Sequence, residues 1–259
     1  MRQPRRLLVI ATGTALVVSA GVGTAALSAR TATGTTTYPT TVRFLGGAGF
    51  QTDGIVIGEL ATNPKCRGLR EVTMERPTSS GYTRMDKGLS SARGAWAFRY
   101  DIPASSTQFR FTATRDVRRN SNVVCEADSF VRPLGGASGR AGMAAPTTGV
   151  ASGTTAYPTH IHWRYQGVGP VASDANVAGQ LDTNSRCLGL RKVRMYKLTS
   201  SGYRRVDTIL SSSRGAWGFL YETNNPQPDH VRFTVTEATR DNGNVTCMGS
   251  TQDERFDYG

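Results

Sequence analysis

The sequence predicts an all-β protein of two tandem antiparallel seven-stranded β-sandwiches of the immunoglobulin-like kind, each with one disulfide. Three observations lead to this fold class. One domain-sized stretch occurs twice, short strands alternate with turn residues in both copies, and a pair of cysteines recurs at nearly the same spacing. Of the 41 positions in 58–98, 25 are identical in 179–219, at a constant offset of 121 residues. A repeat of this strength indicates a duplicated domain.

The chain is basic, with a formal charge of +12 over 259 residues. Arg2, Arg5, Arg6 and Arg30 carry four of these charges in an N-terminal stretch without acids, which leaves +8 for the rest. Arginine dominates this excess, which either reflects codon bias in a GC-rich genome or attracts an anionic polymer of the cell envelope. The absence of a dense basic run beyond the N-terminus favours codon bias, and we expect no nucleic-acid partner.

Residues 1–29 are predicted to form a secretory signal peptide. Basic residues precede an uncharged apolar stretch that ends in small residues, with cleavage after Ala20, Ala25 or Ala29. The alternative is an uncleaved anchor, since about 20 apolar residues span a bilayer. This segment would then be the protein's only contact with a membrane. Its Gly, Thr and Ser content favours cleavage, and we expect a secreted, extracellular or cell-envelope protein.

The first domain is predicted over 38–133, after a Thr-rich lead-in (31–37) that we expect to lack regular structure. Alternation is clear in Phe109–Ala113, where apolar residues occupy every second position. No stretch of helical length shows a 3.6-residue period. The predicted strands are 41–44, 55–60, 71–76, 82–89, 95–100, 108–114 and 123–128.

A flexible linker is predicted over 134–153, because this stretch is rich in Gly, Ala and Ser, lacks aromatic residues and holds a single charge. The second domain is predicted over 154–259 and repeats the first.

Each copy contains two cysteines, separated by 59 and 60 residues. In an exported chain this even, duplicated spacing predicts one disulfide per domain, Cys66–Cys125 and Cys187–Cys247, because each copy must fold by itself. Each bond is expected to tie the loop before the third strand to the last strand. A zinc site is not predicted, since no cysteine has a nearby histidine or second cysteine.

Several motifs of the repeat resemble a known family. These motifs are Gly-x-Leu, Cys-x-Gly-Leu-Arg-x-Val, Ser-Gly-Tyr, Leu-Ser-Ser-x-Arg-Gly-Ala-Trp-x-Phe and Arg-Phe-Thr, followed by a final Cys. Together they resemble secreted bacterial tandem β-sandwich repeat proteins, similar to carboxypeptidase regulatory-like and transthyretin-like domains. The resemblance implies a stalk, spacer or accessory module without catalysis. The chain departs from the family in lacking its turn Asp before the Gly-x-aromatic segment.

The duplicated Trp96 and Trp217 are interpreted as core residues, because a Phe follows two positions later on the same face. Asp86 and Asp207 also recur, but a single carboxylate per copy does not suit acid–base catalysis. We expect a strand-edge salt bridge or a turn hydrogen bond at each. No catalytic residue and no cofactor is predicted.

His160 and His162 alternate along a strand and would share one face, as two metal ligands can. The two histidines have no third ligand nearby in the sequence and no counterpart in the first copy. We therefore predict no metal site. Trp163 is either buried opposite the histidines or exposed as a platform for a sugar ring. The candidate ligand-binding residues are Trp163, Tyr165, Tyr82 and Tyr203.

We therefore expect a non-enzymatic secreted or cell-surface-associated protein that presents loops and strand faces to an extracellular partner. The alternative is a carbohydrate- or polyanion-binding module of the cell envelope. A hydrolase or metal-dependent enzyme is the least favoured class, because the duplicated scaffold shows no duplicated reactive set.

Overall fold

The structure, a computed structural model, describes residues 30–32, 34–50, 53–103, 106–118, 122–134, 155–168, 174–222 and 229–256. The predicted signal peptide lies outside these ranges, and so does the predicted linker apart from Leu134. Among the described residues, no helix has both the length and the apolar character needed to cross a membrane.

The first copy consists almost entirely of strands. Its elements are β1 (Arg30–Ala32), β2 (Thr35–Tyr38), β3 (Thr40–Phe50), β4 (Asp53–Thr62), α1 (Pro64–Arg67), β5 (Glu71–Thr78), β6 (Gly81–Leu89), β7 (Ala95–Asp101), β8 (Thr107–Ala113), β9 (Asp116–Arg118), β10 (Val123–Cys125) and β11 (Asp128–Leu134). Sheet β3-β4-β7 and sheet β11-β8-β5-β6 form the sandwich, with every pair antiparallel. Lettered A to G in chain order, these strands give sheets A-B-E and G-F-C-D, an immunoglobulin-type arrangement.

The second copy repeats this architecture. Its elements are β12 (Thr155–Tyr157), β13 (His160–Val168), β14 (Asp174–Asp182), a 3₁₀ turn (Ser185–Cys187), β15 (Lys192–Thr199), β16 (Gly202–Leu210), β17 (Ala216–Glu222), β18 (Asp229–Val235), β19 (Ala238–Arg240), a 3₁₀ turn (Asp241–Gly243), β20 (Val245–Cys247) and β21 (Ser250–Phe256). Sheet β13-β14-β17 and sheet β16-β15-β18-β21 form its sandwich. The predicted fold class, two tandem β-sandwiches, is confirmed.

Each copy adds a small sheet to its sandwich, in the order β1-β2-β10-β9 in the first and β12-β20-β19 in the second. The prediction that the Thr-rich lead-in lacks regular structure is wrong, because β2 pairs in parallel with β10. The predicted last strand, 123–128, is also wrong. The chain separates there into β10 and β11, and β11 pairs with β8 to complete the sandwich.

The two predicted disulfides form, with Cα–Cα distances of 5.6 Å for Cys66–Cys125 and 5.5 Å for Cys187–Cys247. Cys125 lies on β10 of the small sheet and not on the last strand of the sandwich, which corrects the expected attachment. Each bond therefore joins the helical turn after the second sandwich strand to the small sheet. The bonds close loops with sequence separations of 59 and 60 residues. In the chain-entropy model each bond stabilises the folded state by about 4 kcal/mol, because it restricts the unfolded chain.

A buried arginine lies beside each disulfide, and Arg70 and Arg191 are each only 1% exposed. The backbone carbonyl acceptors of Arg70 are those of Cys66, Thr114 and Glu126. The backbone carbonyl acceptors of Arg191 are those of Cys187, Thr236, Cys247 and Met248. Burial lowers the pKa of both guanidinium groups. Each arginine therefore links the disulfide segment to the neighbouring strand ends by hydrogen bonds to their backbone carbonyls.

The core of each copy is built around a tryptophan. The ring centroid of Trp96 lies 5.1 Å from that of Phe111, and the ring of Trp217 lies 4.8 Å from that of Phe233. Gly58 faces the indole of Trp96 so closely that a Cβ there would collide with it, and the second copy repeats this contact. The interpretation of both tryptophans as core residues is confirmed.

The three-stranded sheets of the two copies pack against each other. Their shared apolar cluster contains Ile55, Ile57, Ala97, Ala178 and Ala216. Gly218 permits the close approach, because a Cβ there would lie 2.8 Å from Ile57 Cδ1 and 3.1 Å from Ala97 Cβ. Both faces of each three-stranded sheet are thus covered, and the two copies form four successive layers of sheet.

Ion pairs flank this shared cluster in a reciprocal pattern. Arg93 Nη1 lies 3.2 Å from Glu222 Oε1, and Arg214 Nη2 lies 2.7 Å from Asp101 Oδ1. The offset of 121 residues that relates the arginines also relates the acids. A patch that meets its own counterpart in this way is isologous, the geometry of a two-fold interface.

Candidate functional site

The duplicated aspartates lie at the boundary between the copies. Ser212 Oγ donates a hydrogen bond to Asp86 Oδ2 at 2.8 Å, and Ser213 Oγ donates to Oδ1 at 2.6 Å. Burial raises the pKa of the Asp86 carboxyl, while the two serine hydroxyls and nearby Arg214 act in the opposite direction. The expectation of a strand-edge salt bridge or a turn hydrogen bond is wrong for Asp86, because its carboxylate accepts hydrogen bonds from two serines of the other copy and from the backbone N–H of Lys87 within its own strand.

Asp207 occupies the equivalent position against the first copy. Burial also raises the pKa of its carboxyl, and the backbone N–H of Thr208, together with Ser91 and Arg93, opposes the shift. Its Oδ2 is buried without a hydrogen-bond partner among the described residues. The two aspartates are therefore reciprocal in position, but only Asp86 accepts short hydrogen bonds from two serines across the boundary.

A cavity of about 410 Å³ lies at one edge of the second sandwich. Its lining residues are His160, Ile161, His162, Trp163, Ser250, Thr251, Gln252 and Glu254. They belong to β13 and β21, which are edge strands of opposite sheets. The cavity thus opens where the sandwich ends, and its volume is within the range of about 300–1,000 Å³ usual for small-ligand sites.

Trp163 is the aromatic side chain of this cavity and is 38% exposed. Ile161, two residues earlier on the same face of β13, is buried. The Trp163 side chain therefore leaves the strand on the side that faces the core. Its ring packs edge-on against Phe256, with centroids 5.5 Å apart. A register shift immediately follows it in the β13–β14 ladder. Part of the indole therefore belongs to the core, and the rest is open to solvent.

The equivalent edge of the first copy is closed by different side chains. Phe44 stands at the position of the tryptophan, since it precedes the same register shift in the β3–β4 ladder. The guanidinium carbon of Arg132 lies 4.4 Å from the centroid of the Phe44 ring. Phe130, two residues before Arg132, packs against the first core. An aromatic ring covered by a cation thus occupies this edge.

In the second copy Gln252 and Glu254 stand where the first copy has its phenylalanine and arginine, as the ladders to the neighbouring strand show. Gln252 Nε2 donates a hydrogen bond to Glu254 Oε1 at 2.8 Å. The second copy therefore surrounds its indole with an amide, a carboxylate and two imidazoles. An open aromatic face with polar groups at its rim suits a ligand that has both a flat apolar side and hydroxyl groups.

The two histidines of this cavity are both exposed. His162 Nε2 lies 3.8 Å from Asp182 Oδ2, a contact that becomes an ion pair when the imidazole is protonated. Within the described ranges, no group of three or more His, Cys, Asp or Glu side chains has an arrangement that could hold a metal ion.

The other candidate aromatics occupy different surroundings. Tyr82 is 37% exposed, and the guanidinium carbon of Arg110 lies 3.9 Å from its ring centroid. Arg232 covers Tyr203 in the same way at 4.0 Å. An arginine thus covers one face of each tyrosine ring. Tyr165 lies on β13, and its side chain falls outside the described part of the structure.

Sequence reasoning missed Gln252 and Glu254, which lie 89 and 91 residues after Trp163. Their signal was present in the repeat itself. Alignment of 250–256 with 128–134 shows that this edge strand exchanges a phenylalanine for an amide and an arginine for a carboxylate. Sequence reasoning also missed the buried arginine of each copy, although both occur at the same distance from a cysteine.

No family model matches the chain, and no curated protein matches it significantly. Among solved structures, the chain is similar to the two tandem V-type regions of VCBP3, a v-region-containing chitin binding protein. The two share 9% sequence identity over 81% of this chain and 99% of that chain, with a TM-score of 0.26. Similarity at this level carries no argument about function.

Proposed function

We propose that the protein is a non-enzymatic secreted or cell-surface-associated interaction protein, in which the paired sandwiches form a scaffold for an extracellular partner. The observation that carries this proposal is the use made of the duplicated polar residues. Asp86 accepts hydrogen bonds from two serines of the opposite copy. Arg93 and Arg214 form the ion pairs that flank this contact, and Arg70 is buried among backbone carbonyls. What the two copies share is thus used for folding and docking.

A screen of the purified protein against cell-wall polymers, with metal analysis of the same sample, tests the absence of catalysis. We expect no turnover above buffer. Turnover that co-purifies with the folded protein and disappears on substitution of a cavity residue would contradict the proposal.

Export from the cytoplasm is part of this proposal. The N-terminal sequence and the two disulfides support it, since disulfides persist in oxidising compartments. Kinship with bacterial carboxypeptidase regulatory-like and transthyretin-like domains likewise stays a proposal, supported by the repeat motifs. The intact mass of secreted protein should correspond to a chain that begins after Ala20, Ala25 or Ala29. A membrane-bound chain that retains Met1 would indicate the uncleaved anchor.

The second candidate function is carbohydrate binding at the cavity around Trp163. One observation favours it: this edge differs between the copies, and only the second copy combines an open indole with amide and carboxylate groups. Aromatic faces stack on sugar rings, while polar rim groups bond hydroxyls.

A glycan array followed by titration with the selected oligosaccharide tests this candidate. Trp163→Ala should lower the affinity at least tenfold, whereas the matched variant Phe44→Ala in the first copy should leave it unchanged. Equal losses in the two variants, or no bound glycan at low salt, would exclude the carbohydrate site.

A further inference from the structure

A second concave surface lies between the copies, away from the Trp163 cavity. It is a groove of about 470 Å³ beside the ion pair of Arg93 and Glu222. Its lining residues are Arg93 of the first copy and Lys197, Thr199, Arg204, Arg205, Val206, Tyr221 and Glu222 of the second. Four of these eight side chains are cationic, and only one is acidic.

Two of the four cations have acidic partners. Arg93 pairs with Glu222 at 3.2 Å across the boundary between the copies, and Lys197 Nζ lies 2.7 Å from Asp229 Oδ1. Arg204 and Arg205 are exposed and have no carboxylate partner among the described residues. Four cations against two carboxylates leave two positive charges uncompensated in one groove.

The two arginines lie directly before a local irregularity of strand β16. Successive side chains of a regular strand point to opposite faces, so neighbouring arginines would normally diverge. The ladder to β15 shifts register here, because Met195 pairs with Asp207 while Tyr196 pairs with Arg205. The extra residue, Val206, follows both arginines, and all three side chains line the groove at this edge strand.

The first copy has the same register shift but a different cation content at this point. Glu75 pairs with Arg84 where the second copy pairs Tyr196 with Arg205, and Thr83 stands where the second copy has Arg204. Adjacent arginines at this bulge are therefore particular to the second copy, as is the open indole at the other edge.

We infer that this groove binds the phosphate or sulfate group of an anionic ligand, with Arg204 and Arg205 as its principal contacts. Guanidinium groups donate paired N–H bonds to tetrahedral oxyanions, and the two uncompensated positive charges suffice to neutralise a phosphate monoester dianion or the single charge of a sulfate ester. Arg93 brings the first copy to the same groove, so the site is complete only when the copies are docked. A bound anion consequently stabilises the docked state. This inference is independent of carbohydrate binding at Trp163.

The full mature chain should be titrated calorimetrically at low ionic strength with inorganic pyrophosphate and, separately, with a sulfated disaccharide, which distinguishes the two sources of the oxyanion. We expect R204A/R205A to lower the affinity for the preferred anion at least tenfold. The matched control K65A/R186A also removes two positive charges, from exposed side chains that directly precede Cys66 and Cys187. It should change the affinity for the anion less than twofold. All three proteins should unfold at similar temperatures, because the substituted side chains are exposed.

An equal loss of affinity in both double variants would mean that binding follows net charge alone and would overturn the inference. Absence of binding by the unsubstituted protein to either probe at millimolar concentration would overturn it as well. Trp163→Ala serves as a separate reference, since it should abolish glycan binding while leaving anion binding intact. The two sites can therefore fail independently in this experiment.

Discussion

The two copies share the polar residues that pair across their contact but differ at the outer edges of their sandwiches. The docking surface repeats Arg93, Asp86 and Ser91 as Arg214, Asp207 and Ser212, whereas the edge that has Phe44 covered by Arg132 in the first copy has an open Trp163 beside Glu254 in the second. Duplication thus preserved part of the contact between the copies, although Ser213 and Gly218 of that contact correspond to Ala92 and Ala97 in the first copy. The outer edge changed as well, and its indole in the second copy is open to a ligand.

Removal of the core tryptophans should give the largest effect and tests whether the two cores are equivalent. Trp96→Ala and Trp217→Ala should each lower the free energy of unfolding by about 3–5 kcal/mol, because each leaves a cavity against the phenylalanines of the opposite sheet. Urea denaturation followed by circular dichroism measures this loss. A difference between the variants larger than about 2 kcal/mol would mean that the copies differ in their cores as well as at their edges.

A bulky residue at the contact between the copies should separate docking from folding. Gly218→Leu places a side chain against Ile57 and Ala97 and should cost the docked state about 1–3 kcal/mol. Small-angle scattering should show a larger radius of gyration, while each sandwich retains its circular dichroism. Ala156→Leu, at an exposed position, is the control and should leave the radius unchanged. An unchanged radius in the Gly218 variant would show that this contact does not hold the copies together.

The pH dependence of docking should identify the buried aspartates. A carboxyl whose pKa is raised in the folded state contributes stability below its unfolded pKa and loses that contribution as the pH rises through the folded pKa. We therefore expect the free energy of unfolding of wild type to exceed that of Asp86→Asn by about 1 kcal/mol in mild acid. This difference should shrink as the pH rises towards neutral. Asp207→Asn should show the same direction. A wild-type advantage that grows with pH would mean that the charged form is the favoured one.

The smallest expected effect concerns the reciprocal ion pairs. A double-mutant cycle on Arg214 and Asp101 should give a coupling of about 0.2–1 kcal/mol, because the Asp101 side chain is 69% exposed. The cycle on Arg93 and Glu222 should give the same value within error, and 0.5 M NaCl should reduce both. Coupling well above 1 kcal/mol in only one pair would show that the interface lacks the expected symmetry.

Much of the fold could be predicted from the sequence, because alternation and the repeat carry strong local signals. Strand β11 could not, since Asp128–Leu134 contains a proline and few apolar residues, which an edge strand tolerates. The docking of the copies was also missed. Its signal was the uninterrupted apolar run Ile55–Ile57 in β4, because a strand without alternation has both faces covered.

The candidate site could be predicted only in part. Trp163 stood out because it lies on a lead strand beside two histidines, but the residues opposite it come from β21 at the far end of the chain. Sequence spacing does not reveal which edge strands meet across a sandwich. Arg204 and Arg205 likewise line one groove beside a bulge, and a bulge leaves no mark in the hydrophobic pattern of so short a strand.

The contact between the halves also bears on how the molecule arose and how it associates. A surface that recognises its own duplicate needs no second gene product, so a single ancestral unit with this face would have assembled as a homodimer before fusion joined the two halves. A half expressed alone should dimerise, and two whole chains that open at once should exchange halves with each other.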